Sequence, residues 1–155
     1  MYAGTMLAER LGGMERIGFT GTQQGLTEKQ QASLIKYLTS LLPFAEFHHG
    51  DCIGADAQAA EIVRGLPCDI LVVAWPCNIE PKRAYFPSDV IHPVEKPLVR
   101  NRHIVDSVDR LVVCPKGPKE LRSGTWATYR YSRVEGMTIS TIIRPNGNVE
   151  AEEPF

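Results

Sequence analysis

The sequence predicts a three-layer α/β/α protein built on a mainly parallel sheet of about five strands. Two observations carry that prediction. Apolar runs of strand length alternate with helical patterns five times along the chain. One of those runs, residues 69–75, is almost continuously apolar, as a strand buried on both faces must be. Strands that alternate with helices close into right-handed crossover units, and their helices cover both faces of the sheet.

The elements follow in order. The first strand is expected at 16–20. A helix begins at Thr27, where Thr27 and Gln30 stand at capping-box spacing. Leu34, Ile35, Leu38, Leu41 and Leu42 form its apolar stripe, and Pro43 ends it. The second strand covers 45–49. The second helix runs over 55–64 and stops at Gly65. After the strand at 69–75 comes an irregular stretch, 76–97, with five prolines. A stretch of that length is a lid over a ligand or a surface excursion held by its own aromatics. The third helix is expected at 98–107, the fourth strand at 110–115, the fourth helix at 124–135 with Gly136 as its stop, and the fifth strand at 138–144. Residues 1–13 and 146–155 read as flexible tails around one domain, 14–145.

Composition narrows the function classes. The chain has 155 residues and a formal net charge of −1, so no global field draws it to nucleic acid or to an anionic membrane. No apolar run approaches the length of a membrane span. The N-terminal stretch lacks the sustained apolar core of a signal peptide. The four cysteines, Cys52, Cys68, Cys77 and Cys114, show no C-x-x-C spacing. They read as free thiols in a reducing, cytoplasmic setting.

Four motifs fall where chains leave strands, which is where open α/β sheets bind ligands. Thr20-Gly21-Thr22-Gln23-Gln24-Gly25 combines glycines that admit close approach with hydroxyls that bond a ligand. Thr22 occupies the second glycine position of the dinucleotide fingerprint, so that fingerprint is absent. In His48-His49-Gly50-Asp51-Cys52-Ile53-Gly54-Ala55-Asp56, Gly50 and Gly54 permit tight turns. Asp51 and Asp56 either accept hydrogen bonds from a ribose or base, or serve the start of the second helix. Adjacent histidines on a strand point to opposite faces, which argues against a metal site. Arg100 and Asn101 lie one turn before Ile104 and Val105, on the sheet-facing side of the third helix. A cation there needs a partner, either a ligand phosphate, the favoured reading, or an ion pair with Asp51 or Asp56. Ser123 fits a helix N-cap, after which Gly124 and Thr125 offer free amides to an anion. Trp126 stacks on a base or packs in the core.

Taken together, Gly-Phe-Thr-Gly-Thr at 18–22, Gly-Asp-Cys-x-Gly-Ala-Asp at 50–56, Arg-Asn-Arg at 100–102 and Ser-Gly-Thr-Trp at 123–126 resemble the SLOG superfamily. That superfamily joins the DNA-processing protein A family to the Lonely Guy enzymes, and the likeness is greatest to its small YspA-like members. The resemblance spans residues 16–144. It implies a Rossmann-like sheet that binds a nucleotide or nucleotide-derived small molecule, and a homodimer. The Lonely Guy enzymes hydrolyse the N-glycosidic bond of nucleoside monophosphates and carry P-G-G-x-G-T-x-x-E. Here Thr128 stands where the glutamate of that signature would be, and threonine supplies no carboxylate for proton transfer.

The sequence therefore points to a binding protein or sensor that uses no metal or other cofactor and takes a nucleotide-type ligand. Its expected ligand-binding residues are Thr20, Gly21, Thr22, Gly50, Asp51, Gly54, Asp56, Arg100, Asn101, Ser123, Gly124, Thr125 and Trp126. No catalytic residue is assigned. Hydrolysis of an N-glycosidic or phosphoribosyl bond is the alternative, with an acid such as Asp51, Asp56 or Glu120. Single-stranded DNA binding is a further alternative, which the near-neutral charge disfavours.

Overall fold

Side chains leave a strand on alternate faces, and here that alternation sorts the apolar residues into two cores. The computed structural model describes residues 14–135 and 138–152. The expected tail at 1–13 and the expected helix stop Gly136 lie outside them. The elements are β1 (Arg16–Gly21), α1 (Glu28–Ser40), β2 (Glu46–His49), α2 (Ala55–Arg64), β3 (Leu71–Ala74), a short 3-10 turn (Glu80–Lys82), β4 (Val90–Ile91), α3 (Pro97–Asp106), β5 (Arg110–Cys114), α4 (Gly124–Glu135), β6 (Ile139–Ile143) and β7 (Val149–Glu152). They form one seven-stranded sheet in the order β4-β3-β2-β1-β5-β6-β7. Every pair is parallel except β6 with β7. This is the expected α/β architecture, Rossmann-like in its strand order, with two strands more than expected.

Ile17, Phe19, Phe47, Val72, Val112 and Ile143 pack with Leu34 and Leu38 of α1 and Ala59 and Val63 of α2. Leu111, Val113 and Ile142 pack with Ile104 and Val105 of α3 and Trp126 and Tyr129 of α4. Neighbouring residues of β5 and β6 thus serve opposite layers. Gly18 lets α3 lie directly on β1, since a Cβ there would come within 2.9 Å of Val108 and 3.1 Å of Ile104.

Two expectations need correction. The sequence predicts a flexible tail over 146–155, but Val149–Glu152 form β7, which pairs antiparallel with β6 from Ser140↔Glu152 to Ile143↔Val149. The turn before it holds Gly147 at φ 90°, a conformation glycine adopts without strain. Its backbone is fastened to α1 by Ser33 Oγ donating to the Gly147 carbonyl at 2.6 Å. The irregular stretch 76–97 also contains β4, too short to show any period. β4 continues the sheet through Val73↔Val90 and Ala74↔Ile91, and Asp89 fixes it by accepting from the Val72 amide at 2.8 Å.

The capping box at the start of α1 is present as expected. Gln30 N donates to Thr27 Oγ1 at 3.0 Å, and Thr27 N donates to Gln30 Oε1 at 3.1 Å. Gln30 does more than cap. Its side chain is buried, and Nε2 donates to the carbonyls of Pro115 at 2.8 Å and Ile143 at 3.0 Å. One amide thereby joins α1 to the ends of β5 and β6. Ile35, expected on the apolar stripe, is instead exposed.

Replacing Gln30 by Ala leaves those two carbonyls without a donor and lowers the unfolding free energy by about 2–3 kcal/mol. Thr27→Ala, which removes only a cap, lowers it by about 1 kcal/mol. Urea denaturation reads both as midpoint shifts at unchanged slope, with Gln30→Ala the larger.

Candidate functional site

Strand order runs outward from β1 in one direction and from β5 in the other, so the loops leaving these neighbours diverge. A cleft of about 410 Å³ opens between them, a size typical of small-molecule sites. Thr20, Gly21 and Thr22 reach it from the end of β1, Gly50 and Asp56 from the loop after β2 and the first turn of α2, Arg100 and Asn101 from α3, and Ser123, Gly124 and Thr125 from the start of α4. The four motifs converge on one rim.

The floor is built around the peptide of Gly50. Its amide donates to Asp56 Oδ2 at 3.0 Å, and its carbonyl accepts from Arg100 Nη1. A Cβ at Gly50 would sit 2.9 Å from Asp56 Oδ2 and against the Arg100 guanidinium, so only glycine fits. Cys52 N donates to the same Asp56 oxygen at 3.2 Å. Asp56 Oδ1 takes no hydrogen bond from any described residue, and Asp56 lines the cleft although it is only 5% exposed. Burial pushes the Asp56 carboxyl up to about 6, against the Arg100 charge and the two amides.

Arg100 is less free than expected. Nε donates to Asn101 Oδ1 at 2.7 Å, Nη1 also donates to the Trp75 carbonyl at 3.1 Å, and Nη2 lies 3.5 Å from Cys52 Sγ. Its guanidinium holds the floor together and shows only an edge to the cleft. The charge interaction with Asp56 passes across Gly50 rather than through a direct contact. Cys52 Sγ is pushed up to about 12, chiefly by burial, and stays a protonated thiol.

The opposite wall starts at α4. Ser123 caps it, accepting from the Trp126 amide at 3.2 Å. The amides of Gly124 and Thr125 precede the first intrahelical bond and have no partner among the described residues. The Thr125 side chain is 8% exposed, lines the cleft, and its hydroxyl bonds to no described residue. Arg130 fixes the loop before the helix by donating to the carbonyls of Glu120 and Leu121, both at 3.2 Å.

Three expected ligand residues are placed elsewhere. Asp51 is buried with a positive φ of 54°. Its carboxylate takes Arg83 Nη2 at 3.1 Å and the Phe86 amide at 2.9 Å, and its carbonyl takes the Ala84 amide at 2.8 Å. It anchors a strap, 80–88, rather than reading a ligand. Gly54, at φ 87°, stands where any Cβ would overlap the Gln23 carbonyl; it serves the packing of two loops. Trp126 is buried edge-on against Tyr129, with centroids 5.5 Å apart, so it packs rather than stacks on a ligand. Thr128 is also buried, with its hydroxyl donating to the Gly124 carbonyl at 2.9 Å.

The strap brings in a residue outside the expected ligand set. Ile53 N donates to the Lys82 carbonyl at 2.9 Å, and Lys82 lines the cleft. Lys116, Glu120 and Arg122 do so from the other side. The cleft carries four cations, Lys82, Arg100, Lys116 and Arg122, against two carboxylates, Asp56 and Glu120, in a chain of net charge −1. Glycine spacing cannot reveal such loop cations; only their position beside motif ends points to them.

The two histidines take separate roles. The Trp75 indole donates to His48 Nδ1 at 2.9 Å, leaving Nε2 to Glu46 at 2.7 Å. Asp51 N donates to His49 Nδ1 at 2.9 Å, leaving Nε2–H for Ser88 Oγ at 3.0 Å. Burial lowers His49 to about 4, so it is neutral at ordinary pH.

Comparison with protein-family models, curated proteins and solved structures returns no match.

Asp51→Asn removes the charge that holds Arg83 and weakens the acceptor for Phe86. Hydrogen exchange at the Phe86 amide is expected to accelerate by about tenfold or more, while amides of β1 and β5 keep their protection. Equal acceleration throughout would show a global rather than a local role.

Proposed function

We propose that the protein binds a phosphorylated nucleotide or nucleotide-derived small molecule in the cleft at the β1–β5 switch, as a binding protein or sensor of SLOG type. One observation carries the reading. Hydrogen-bonding groups from separate segments face the same space without a protein partner: Asp56 Oδ1, Thr125 Oγ1 and the first amides of α4. A phosphate on the Gly124 and Thr125 amides, with Lys116 and Arg122 beside it, would satisfy one wall. Ribose hydroxyls or a base amino group donating to Asp56 would satisfy the floor. Thr20 lies on the wall between them. Arg100 shapes the floor and adds charge at close range.

A second reading is hydrolysis of an N-glycosidic or phosphoribosyl bond. It rests on Asp56, which supplies a carboxyl at the cleft floor that Thr128 does not. Release of free base from nucleoside monophosphates, abolished by Asp56→Asn, would establish it.

No described helix is long and apolar enough to cross a membrane. The proposal includes a cytoplasmic setting and a homodimer, the latter to be measured by light scattering.

Titration calorimetry with nucleoside monophosphates tests the binding reading. Thr125→Val, which keeps the shape and removes the hydroxyl, is expected to weaken binding about tenfold. Unchanged affinity in both Thr125→Val and Asp56→Asn would place the site elsewhere.

The pH profile has a fixed sign. Ligand donors need the ionised Asp56, whose carboxyl titrates at about 6. Affinity is therefore flat above about pH 7 and falls as pH drops through about 6. The ligand phosphate titrates in the same range, so the comparison is with Asp56→Asn, which must lose the protein's share of the slope.

A further inference from the structure

The cations of the cleft form two separate edges. Lys116 and Arg122 flank the start of α4, in the loop that leaves β5. Lys82 stands on the far side, because its carbonyl is bonded to Ile53 in the loop that leaves β2. β1 lies between β2 and β5 in the sheet. Two strand spacings, roughly 10 Å, separate the strand ends from which the two loops leave. The two cationic edges thus face the cleft from opposite sides.

Lys82 is not carried there by chance loop geometry. The strap that bears it is fastened at four points: the Ile53 amide on the Lys82 carbonyl, the Ala84 amide on the Asp51 carbonyl, and Arg83 and the Phe86 amide on the Asp51 carboxylate. A buried carboxylate in a positive-φ conformation is thus committed to placing this short turn. Lys82 is only half-buried and pairs with no described carboxylate, while Asp56 beside it spends Oδ2 on two amides. Between the two edges the end of β1 and the loop after it add hydroxyl and amide groups from Thr20, Thr22 and Gln23, above the floor of Asp56 and Arg100.

We propose that the ligand carries anionic groups at both ends, one seated at the start of α4 and the other at Lys82. This rests on the binding reading above and narrows its ligand class to a doubly phosphorylated nucleoside or a nucleotide with a second, distal acidic group. Lys82 is the residue that distinguishes such a ligand from a simple monophosphate.

Calorimetry on the full chain compares adenosine 5′-monophosphate and guanosine 5′-monophosphate with the corresponding 3′,5′-bisphosphates. The bisphosphates are expected to bind about tenfold tighter at low salt, with the difference shrinking as ionic strength rises. Lys82→Gln is expected to erase that advantage and leave monophosphate affinity within about twofold, while Arg122→Gln weakens both classes. Binding of monophosphates with no gain from the second phosphate, or a gain that survives in Lys82→Gln, overturns this proposal and leaves the binding reading standing. Absence of binding by all four probes overturns both. Circular dichroism of Lys82→Gln confirms an intact fold, since only its side chain changes and the strap is held by backbone and Asp51.

Discussion

The peptide of Gly50 is gripped from both sides, by Asp56 at its amide and by Arg100 at its carbonyl, and the geometry of the cleft follows from that grip. The two charged groups come from different helices on opposite layers of the sheet. Neither could stay buried alone, because a desolvated charge needs compensation. Here the compensation runs through a polar peptide rather than through direct contact. Asp56 takes two amides and Arg100 takes two carbonyls. The loop after β2 is thereby fixed to α2 and α3 at once, and a glycine is the only residue small enough to lie between them. The floor is rigid because it is a network rather than a pair.

Charge is distributed rather than accumulated. The whole chain is close to neutral, yet the cleft gathers cations from two loops and a helix. A local field of this kind draws a small anion to one place without attracting polyanions over the whole surface. The same economy explains why a buried carboxylate is tolerated among cations. Burial raises the Asp56 carboxyl to about 6, so it is mostly ionised at neutral pH and becomes a neutral group as pH falls through that value. Asp51, the residue after Gly50, has its carboxylate fully committed to Arg83 and the Phe86 amide.

Most of the architecture was legible in the sequence because its signals are local. α2 and α4 begin and end where apolar period, Gly65 and the Ser123 cap place them, and Thr27 with Gln30 announces α1 through spacing alone. β4 was not legible, since two residues carry no period and depend on Asp89 for their register. β7 was missed although Asn146-Gly147 is a hairpin signal; the acidic composition of 149–152 outweighed it. The site shows the same division. The motifs locate the rim, but they cannot separate residues that face the cleft from those that support them. Asp51 and Asp56 have the same chemistry at nearby positions, and Trp126 adjoins Thr125. Their fates differ because of contacts with 75–88 and Tyr129, which lie far away or on the other side of a helix turn.

The empty hydrogen-bonding capacity of the cleft sets the remaining constraint on function. Thr125 Oγ1 and Asp56 Oδ1 open onto the cleft rather than bonding to neighbouring side chains. Gln30 shows the other arrangement: one side chain satisfies two carbonyls from two strands. Among the described residues, Asp56 Oδ1 and the first amides of α4 stay open at this rim while Asp51, His48, His49 and Arg100 bond within the protein. A ligand that bonded these groups would add to the folding free energy through mass action.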